Sequence, residues 1–127
     1  MLTFSMPNLN SYSFLRFLCA SLAMEKKVII DKAKFTETIY EFKQQAESEI
    51  MFIFDDIEFR SGINSLVSYD INEGITNLQT LGVIGKLNPT YEKILIYLSE
   101  QDAEEILKDC NPVIKKAMQR LANMFER

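Results

Sequence analysis

The chain has 127 residues, a hydrophobic fraction of 47%, a charged fraction of 25% and a net charge of −4. These values are typical of one soluble globular domain, and the acidic balance disfavours general binding to phosphate backbones. The chain contains no histidine and only two, widely separated cysteines, which excludes Ser-His-Asp and Cys-His catalysis and zinc sites built from His or Cys.

The N-terminal part of the sequence predicts a tail over residues 1–7, followed by a single domain over residues 8–127. Asn8 or Asn10 can cap a first helix that ends near Met24, because apolar residues recur there at helical spacing. The apolar stretch Tyr12–Met24 is too short to span a membrane and is interrupted by Arg16. It also lacks a basic leader, so we expect a buried helix and no export signal.

The next segment predicts a strand, a helix and an ambiguous connector. Val28–Ile30 is a short β-branched run, and Asp31 can cap a second helix with an apolar stripe at Phe35, Ile39 and Phe42. Glu49–Phe59 fits either a continuing helix or a buried strand, and we expect the helix to end near Glu47 and an aromatic-rich connector to follow. Ser61 is then expected to cap a short helix that carries Ile63, Leu66 and Val67.

The clearest pattern lies between Asp70 and Leu98. Asp70 and Glu73 have the spacing of a capping box, and Gly82 follows the last apolar residue of the helix, where a left-handed residue is expected. Two β-rich runs then flank a turn, which predicts a hairpin with strands at Val83–Leu87 and Tyr91–Leu98 and a turn at Asn88-Pro89-Thr90.

The C-terminal part predicts two further helices. Ser99 can cap the first, and Asn111 can cap the second with Pro112 at its first position. The first and last helices of the chain carry more apolar side chains than one small domain easily covers, which indicates burial against another chain. The fold class predicted is mainly α with a small β-hairpin (α+β), with about five to six helices.

The string Leu81-Gly82-Val83-Ile84-Gly85-Lys86 resembles the junction where the recognition helix of a winged-helix domain meets its wing. The resemblance covers roughly residues 8–98 and implies a winged-helix-like arrangement. Winged-helix domains bind DNA or serve as protein-interaction modules, so the resemblance implies one of these two uses.

The side chains of the predicted recognition helix disfavour DNA binding. The helix Ile71–Leu81 contains no Lys or Arg, and Asp70 and Glu73 repel phosphate, whereas DNA readers need cations beside their base-reading side chains. A DNA-binding transcriptional regulator therefore stays as an alternative, for which the contact residues would be Asn72, Thr76, Asn77, Gln79, Lys86 and Lys93.

The favoured hypothesis is a non-enzymatic protein-interaction module of bacterial or phage type, acting as an adaptor or regulator and forming a homodimer. Its candidate contact residues combine tyrosines, which suit half-buried interface positions, with cations on the first and last helices. These residues are Tyr12, Arg16, Tyr91, Tyr97, Lys115, Lys116 and Arg120. A second alternative is a small acidic inhibitor or immunity protein that masks a basic site.

No catalytic, cofactor or metal site is predicted. The acidic residues Asp55, Asp56 and Glu58 lack the spacing of a calcium loop and are typical of a solvated loop. Cys19 and Cys110 lie in apolar helical patterns, which predicts buried free thiols and a reducing, cytoplasmic location.

Overall fold

The computed structural model of the chain describes residues 9–61, 66–86 and 93–125. These residues form a mainly helical α+β fold, as the sequence predicts. Its helices are α1 (Ser11–Met24), α2 (Lys32–Gln45), a 3₁₀ helix (Ser48–Phe54), α3 (Tyr69–Thr80), α4 (Glu100–Lys108) and α5 (Pro112–Met124). Its strands are β1 (Ile29–Asp31), β2 (Arg60–Ser61), β3 (Leu66–Val67), β4 (Ile84–Lys86) and β5 (Lys93–Ile96). The predicted N-terminal tail and the turn at Asn88-Pro89-Thr90 lie outside the described residues.

Helix α1 lies at the centre of the fold. Every residue from Leu18 to Ala23 is buried, and six consecutive helical residues cover the whole circumference. Helices α3, α4 and α5 all pack against α1. The apolar surfaces of the first and last helices are therefore covered within the chain, so they no longer argue for burial against a second chain.

Strands β1, β5 and β4 form a three-stranded antiparallel sheet in that order. The register pairs Leu95 of β5 with Ile29 on one side and with Gly85 on the other. Because side chains alternate between the faces of a strand, the neighbours of these residues point to the core. They are the buried isoleucines Ile30, Ile84, Ile94 and Ile96.

The predicted helix starts at Asn10, Asp31, Ser99 and Asn111 are confirmed. Each of these side chains accepts a hydrogen bond from a backbone N–H in the first turn of its helix. Helix α1 has a second N-terminal acceptor that sequence spacing does not reveal, since Ser11 N donates to Asp56 Oδ2 at 2.7 Å. That bond ties the acidic connector to the central helix.

The start of α3 differs from the prediction. Ser68, and not Asp70, caps the helix, because Ser68 Oγ accepts from Ile71 N at 3.3 Å. Asp70 lies inside the first turn, and its Oδ2 accepts instead from Glu58 N at 2.8 Å. The expected capping box at Asp70 and Glu73 is therefore wrong.

The short helix expected from Ser61 is also wrong. Arg60 and Ser61 pair with Val67 and Leu66 as an antiparallel ladder between β2 and β3. The ends of this segment are held together, because Ser68 Oγ donates to Glu58 O at 2.7 Å while Glu58 N binds Asp70. A chain whose ends are joined in this way closes as a hairpin more readily than it winds into a helix.

The ambiguous segment Glu49–Phe59 is neither a continued α-helix nor a strand. Helix α2 ends at Gln45, and the 3₁₀ helix follows after a short break. Phe54 at its end lies between two helices, with its ring centroid 5.6 Å from that of Phe14 and 6.0 Å from that of Phe42. This aromatic contact joins α1 to α2.

Gly82 ends α3 as predicted. Its φ is +78°, a left-handed conformation that glycine adopts without the steric cost of a side chain. Val83 N donates to Leu78 O at 2.9 Å and Gly82 N donates to Gln79 O at 3.1 Å, which is the bond pair of a Schellman motif. The chain is thereby turned directly into β4.

A close approach between α1 and α3 gives the first prediction. A Cβ on Gly74 would collide with Leu15 Cδ1, and Leu15 is fully buried. We expect Gly74→Ala to lower the free energy of unfolding by about 1–3 kcal/mol, as overpacked cores do, despite the better helix propensity of alanine. Urea unfolding measures the change. The exposed control Asn77→Ala should shift stability by no more than about 0.5 kcal/mol, and a Gly74→Ala variant as stable as wild type would contradict the prediction.

Candidate binding surfaces

The first candidate surface is the outer sheet face, which we define as Ile29, Gly85, Leu95 and Tyr97 with the flanking residues Asp31 and Lys93. The exposed fraction is 55% for Ile29 and 59% for Tyr97, which are high values for large apolar or aromatic side chains. Ile29, Leu95 and Gly85 form one row across the three strands. The face is therefore apolar at its centre and open to solvent.

Tyr97 lies flat across this face. A Cβ built on Gly85 would be 2.7 Å from both Cε2 and Cζ of Tyr97, so only glycine leaves room for the ring. Tyr97 N also donates to Val83 O at 2.8 Å, which continues the ladder between β4 and β5. The ring therefore covers Gly85 on the outer face, while most of the Tyr97 surface stays exposed.

The second candidate surface is a groove of about 590 Å³. Helices α4 and α5 both pack against α1 but make few contacts with each other, so a gap opens between them over the C-terminal half of α1. We call this the α4–α5 groove. Its lining includes Ser21 and Met24 from α1 with the following Glu25; Glu104, Glu105, Leu107 and Lys108 from α4; and Lys115, Gln119 and Asn123 from α5.

Ser21, which lines this groove, carries a buried hydroxyl without a hydrogen-bond partner among the described residues. Its exposed fraction is 2%. Buried hydroxyls are nearly always hydrogen-bonded, because leaving one unpaired costs about 1–3 kcal/mol. Sequence pattern does not single out this residue, since a serine in an apolar helix usually hydrogen-bonds to a carbonyl of the same helix.

The predicted partner-binding residues lie on several elements rather than on one surface. Tyr12 and Arg16 are half-buried, one turn apart on α1, whereas Tyr97 lies on the outer sheet face. Lys115 lines the α4–α5 groove, and Lys116 is exposed on the same helix. Tyr91 lies outside the described residues.

Arg120 is already engaged within the chain. Its Nη1 lies 3.6 Å from Glu47 Oε1, and its guanidinium lies 5.7 Å from the centroid of the Phe42 ring. Both partners of the ion pair are partly exposed, so the pair adds little stability. The Arg120 charge, which the sequence analysis assigned to a partner, is nevertheless already paired with Glu47.

The exposed face of α3 carries the residues that the alternative reading assigned to nucleic acid. Thr76, Asn77 and Gln79 are exposed, and Asn72 is half-buried. Thr76 Oγ1 donates to Asn72 O at 3.1 Å and Thr80 Oγ1 donates to Thr76 O at 3.0 Å. The threonine hydroxyls therefore donate to their own helix and not outward.

The charges around α3 are mainly acidic. Tyr69 at its start is exposed, and a hydrogen bond to the Glu73 carboxylate raises the pKa of the Tyr69 phenol. Lys93 is exposed on β5, while Lys86 is the last residue of β4. Within the described parts of α3 and its neighbours, no row of cations accompanies the polar side chains that would read bases.

Other kinds of site find no support in the described residues. Across 9–61, 66–86 and 93–125, no three His, Cys, Asp or Glu side chains come close enough together to hold a metal ion. No helix in the same ranges has the length and apolar character needed to cross a bilayer. Comparisons of the chain with protein-family models, curated proteins and solved structures found no match.

Both cysteines are free and buried, as predicted. Burial raises the pKa of the Cys19 thiol to about 12 and that of Cys110 to about 11, and the nearby charge of Lys115 partly opposes the rise at Cys110. The thiolate is the reactive form of cysteine. Neither thiol is therefore poised as a nucleophile at neutral pH.

These pKa values predict slow alkylation at pH 8. Cys110 should react with iodoacetamide about a hundredfold more slowly than an exposed thiol, and Cys19 more slowly still, because both pKa values lie above the ordinary 9.0. Lys115→Gln should slow Cys110 further. Mass spectrometry of the two cysteine peptides measures the rates, and protein unfolded in guanidinium is the control. Faster modification of native Cys19 than of native Cys110 would contradict the prediction.

Proposed function

We propose that the protein is a non-enzymatic protein-interaction module with a winged-helix-like arrangement, and that its outer sheet face binds a second copy of the chain. The observation that carries the proposal is the exposed apolar row across β1, β5 and β4, completed by Tyr97. Exposed apolar surface surrounded by charged residues is typical of protein-binding sites. Tyrosine is enriched in such sites because it buries a large area with few rotatable bonds.

The order of elements supports the winged-helix-like arrangement. Helix α3 ends at Gly82 and leads directly into β4, and β4 pairs with β5. This is the helix, glycine and hairpin junction on which the sequence resemblance rests. A fold of this type does not determine its use, so the choice between nucleic acid and protein depends on the side chains.

The side chains favour a protein partner. Asp70 and Glu73 lie on α3, and the Thr76 and Thr80 hydroxyls donate to the helix backbone. Duplex binding depends on neutralising phosphates with Lys and Arg. The outer sheet face instead offers apolar area, which gains free energy when it leaves water.

A second copy fits the outer sheet face because the face is complementary to itself. Asp31 and Lys93 are directly opposite each other in the β1–β5 register, so the apolar row is bordered by one acidic and one basic residue. In a two-fold dimer the same patch meets itself. Asp31 Oδ1 caps α2, and its second carboxylate oxygen can lie against Lys93 of the other copy. The three strands are short, so the buried area is small and the complex is expected to be weak.

The proposal predicts concentration-dependent dimerisation. Sedimentation equilibrium should give a dissociation constant of about 10–100 μM, typical of small transient interfaces. Tyr97→Lys should leave only monomer over this range, because it replaces the ring that lies over Gly85, beside the apolar row, with a charge. Tyr69→Lys is the matched control, since Tyr69 is an exposed tyrosine outside the outer sheet face. A wild-type protein that stays monomeric at millimolar concentration would overturn the proposal.

The border charges give a second prediction. Lys93→Glu should weaken dimerisation about tenfold at low salt, because Asp31 then faces a second acidic residue across the interface, and the loss should shrink as salt screens the charges. Lys116→Glu changes the net charge equally at an exposed position on α5 and should have no effect. Equal weakening by both variants would show that net charge alone is responsible. Salt-dependent binding of a DNA duplex by wild type, lost in Lys93→Glu, would favour the nucleic-acid alternative.

A further inference from the structure

Gly85 is buried although its position in β4 faces outward. It pairs with Leu95 in the strand register, next to Ile84, which points to the core. It is also the one glycine in the three strands of this sheet. A glycine on an open face has no side chain of its own to shield its backbone. Another residue therefore covers Gly85, and the structure identifies it as Tyr97.

The phenol end of Tyr97 occupies the space that a side chain at position 85 would need. The three atoms nearest to a Cβ built on Gly85 all belong to Tyr97. They are the hydroxyl oxygen, and Cε2 and Cζ, which would each lie 2.7 Å from that Cβ. Carbon atoms in contact are about 3.5–4.0 Å apart, so an alanine at position 85 and the observed position of the ring exclude each other.

Tyr97 reaches Gly85 diagonally across the pair of strands β4 and β5. Tyr97 N donates to Val83 O at 2.8 Å, which places Tyr97 opposite Val83 and leaves Gly85 two residues further along β4. Diagonal neighbours on one face of a sheet lie within reach of aromatic side chains. An aromatic ring beside a glycine of the adjacent strand also compensates for the missing side chain.

The ring is the part of this contact that can give way. The exposed fraction of Tyr97 is 59%, so its side chain has solvent into which it can rotate. The close approach at Gly74 is different, because the Leu15 side chain that a Cβ would meet there is fully buried. The same substitution to alanine therefore strains the core at position 74 and displaces an exposed ring at position 85.

We propose that Gly85 is a positioning residue of the outer sheet face. By leaving room for the phenol end of Tyr97, it keeps the ring against the sheet, where the ring adds to the apolar row of Ile29 and Leu95. This inference rests on the dimer proposed above. A side chain that is placed before association loses less conformational freedom when the complex forms. A side chain at position 85 lifts the ring off the face, and the lifted ring obstructs the approach of the second copy.

Sedimentation equilibrium of Gly85→Ala tests the positioning role. We expect the dissociation constant of the dimer to rise about tenfold or more, although Tyr97 and the apolar row are unchanged in sequence. Gly74→Ala is the matched control, because it makes the same substitution at a second close approach away from the outer sheet face. Its dissociation constant should stay within about twofold of wild type. An unchanged dissociation constant in Gly85→Ala, or equal weakening by both variants, overturns the positioning role.

A double-mutant cycle tests the contact itself, without a dimer. Melting temperatures are measured well below the dissociation constant for wild type, Gly85→Ala, Tyr97→Thr and the double variant. Threonine keeps a high strand propensity and is too short to reach position 85. Alanine suits a strand better than glycine does, and in wild type the displaced ring offsets that gain. Gly85→Ala should therefore shift the melting temperature about 2–5 °C more favourably in the Tyr97→Thr background than in wild type. Equal shifts in both backgrounds overturn the proposal.

The two experiments distinguish failure of the positioning role from failure of the dimer. A wild-type protein that stays monomeric overturns the dimer and the positioning role together, while the coupling between positions 85 and 97 in melting temperature remains. A wild-type dimer that Gly85→Ala does not weaken, in a chain that shows this coupling, overturns the positioning role alone.

Discussion

The rest of the structure depends on the burial of α1 around its whole circumference. No residue from Leu18 to Ala23 is left to solvent, and helices α3, α4 and α5 all pack against this helix. Helix α3 approaches it so closely that Gly74 has no room for a side chain beside Leu15. The 3₁₀ helix contributes Phe54 next to Phe14, and α4 and α5 cover the remaining side. An isolated helix of this composition would not be stable in water, and its stability comes from these contacts.

Local signals in the sequence predicted the elements that depend on local chemistry. Asn10, Asp31, Ser99 and Asn111 cap helices because a short polar side chain can reach the first free N–H groups, whatever the rest of the chain does. Gly82 ends α3 for an equally local reason, its positive φ. The errors occurred where a distant residue decided the outcome. Asp70 could not be recognised as a partner of Glu58 from spacing alone, and without that bond the hairpin of β2 and β3 resembles a short helix.

The candidate surfaces were predictable to different degrees. Tyr97 was identified from its residue type. Ile29 and Asp31, like Lys93 and Leu95, are two residues apart, as side chains on one face of a strand are. The strand order that joins these two runs is a long-range pairing, because β1 and β5 are more than sixty residues apart in the chain. The apolar terminal helices pointed to a second chain, but the structure covers them internally. The sheet, and not the helices, carries the apolar surface that remains exposed.

The α4–α5 groove follows from the same constraint that organises the core. Two helices joined by a short turn and laid on a third can pack against each other or diverge, and α4 and α5 diverge. Their divergence leaves a groove beside the C-terminal half of α1, although Ser21 itself stays buried. A leucine or alanine at that position would leave no unpaired polar group. A serine there leaves a polar group that the fold does not satisfy, and such a group is stable only because the remainder of α1 is so extensively packed. The burial of α1 thus holds the unpaired Ser21 hydroxyl next to the α4–α5 groove, in the most tightly packed helix of the fold.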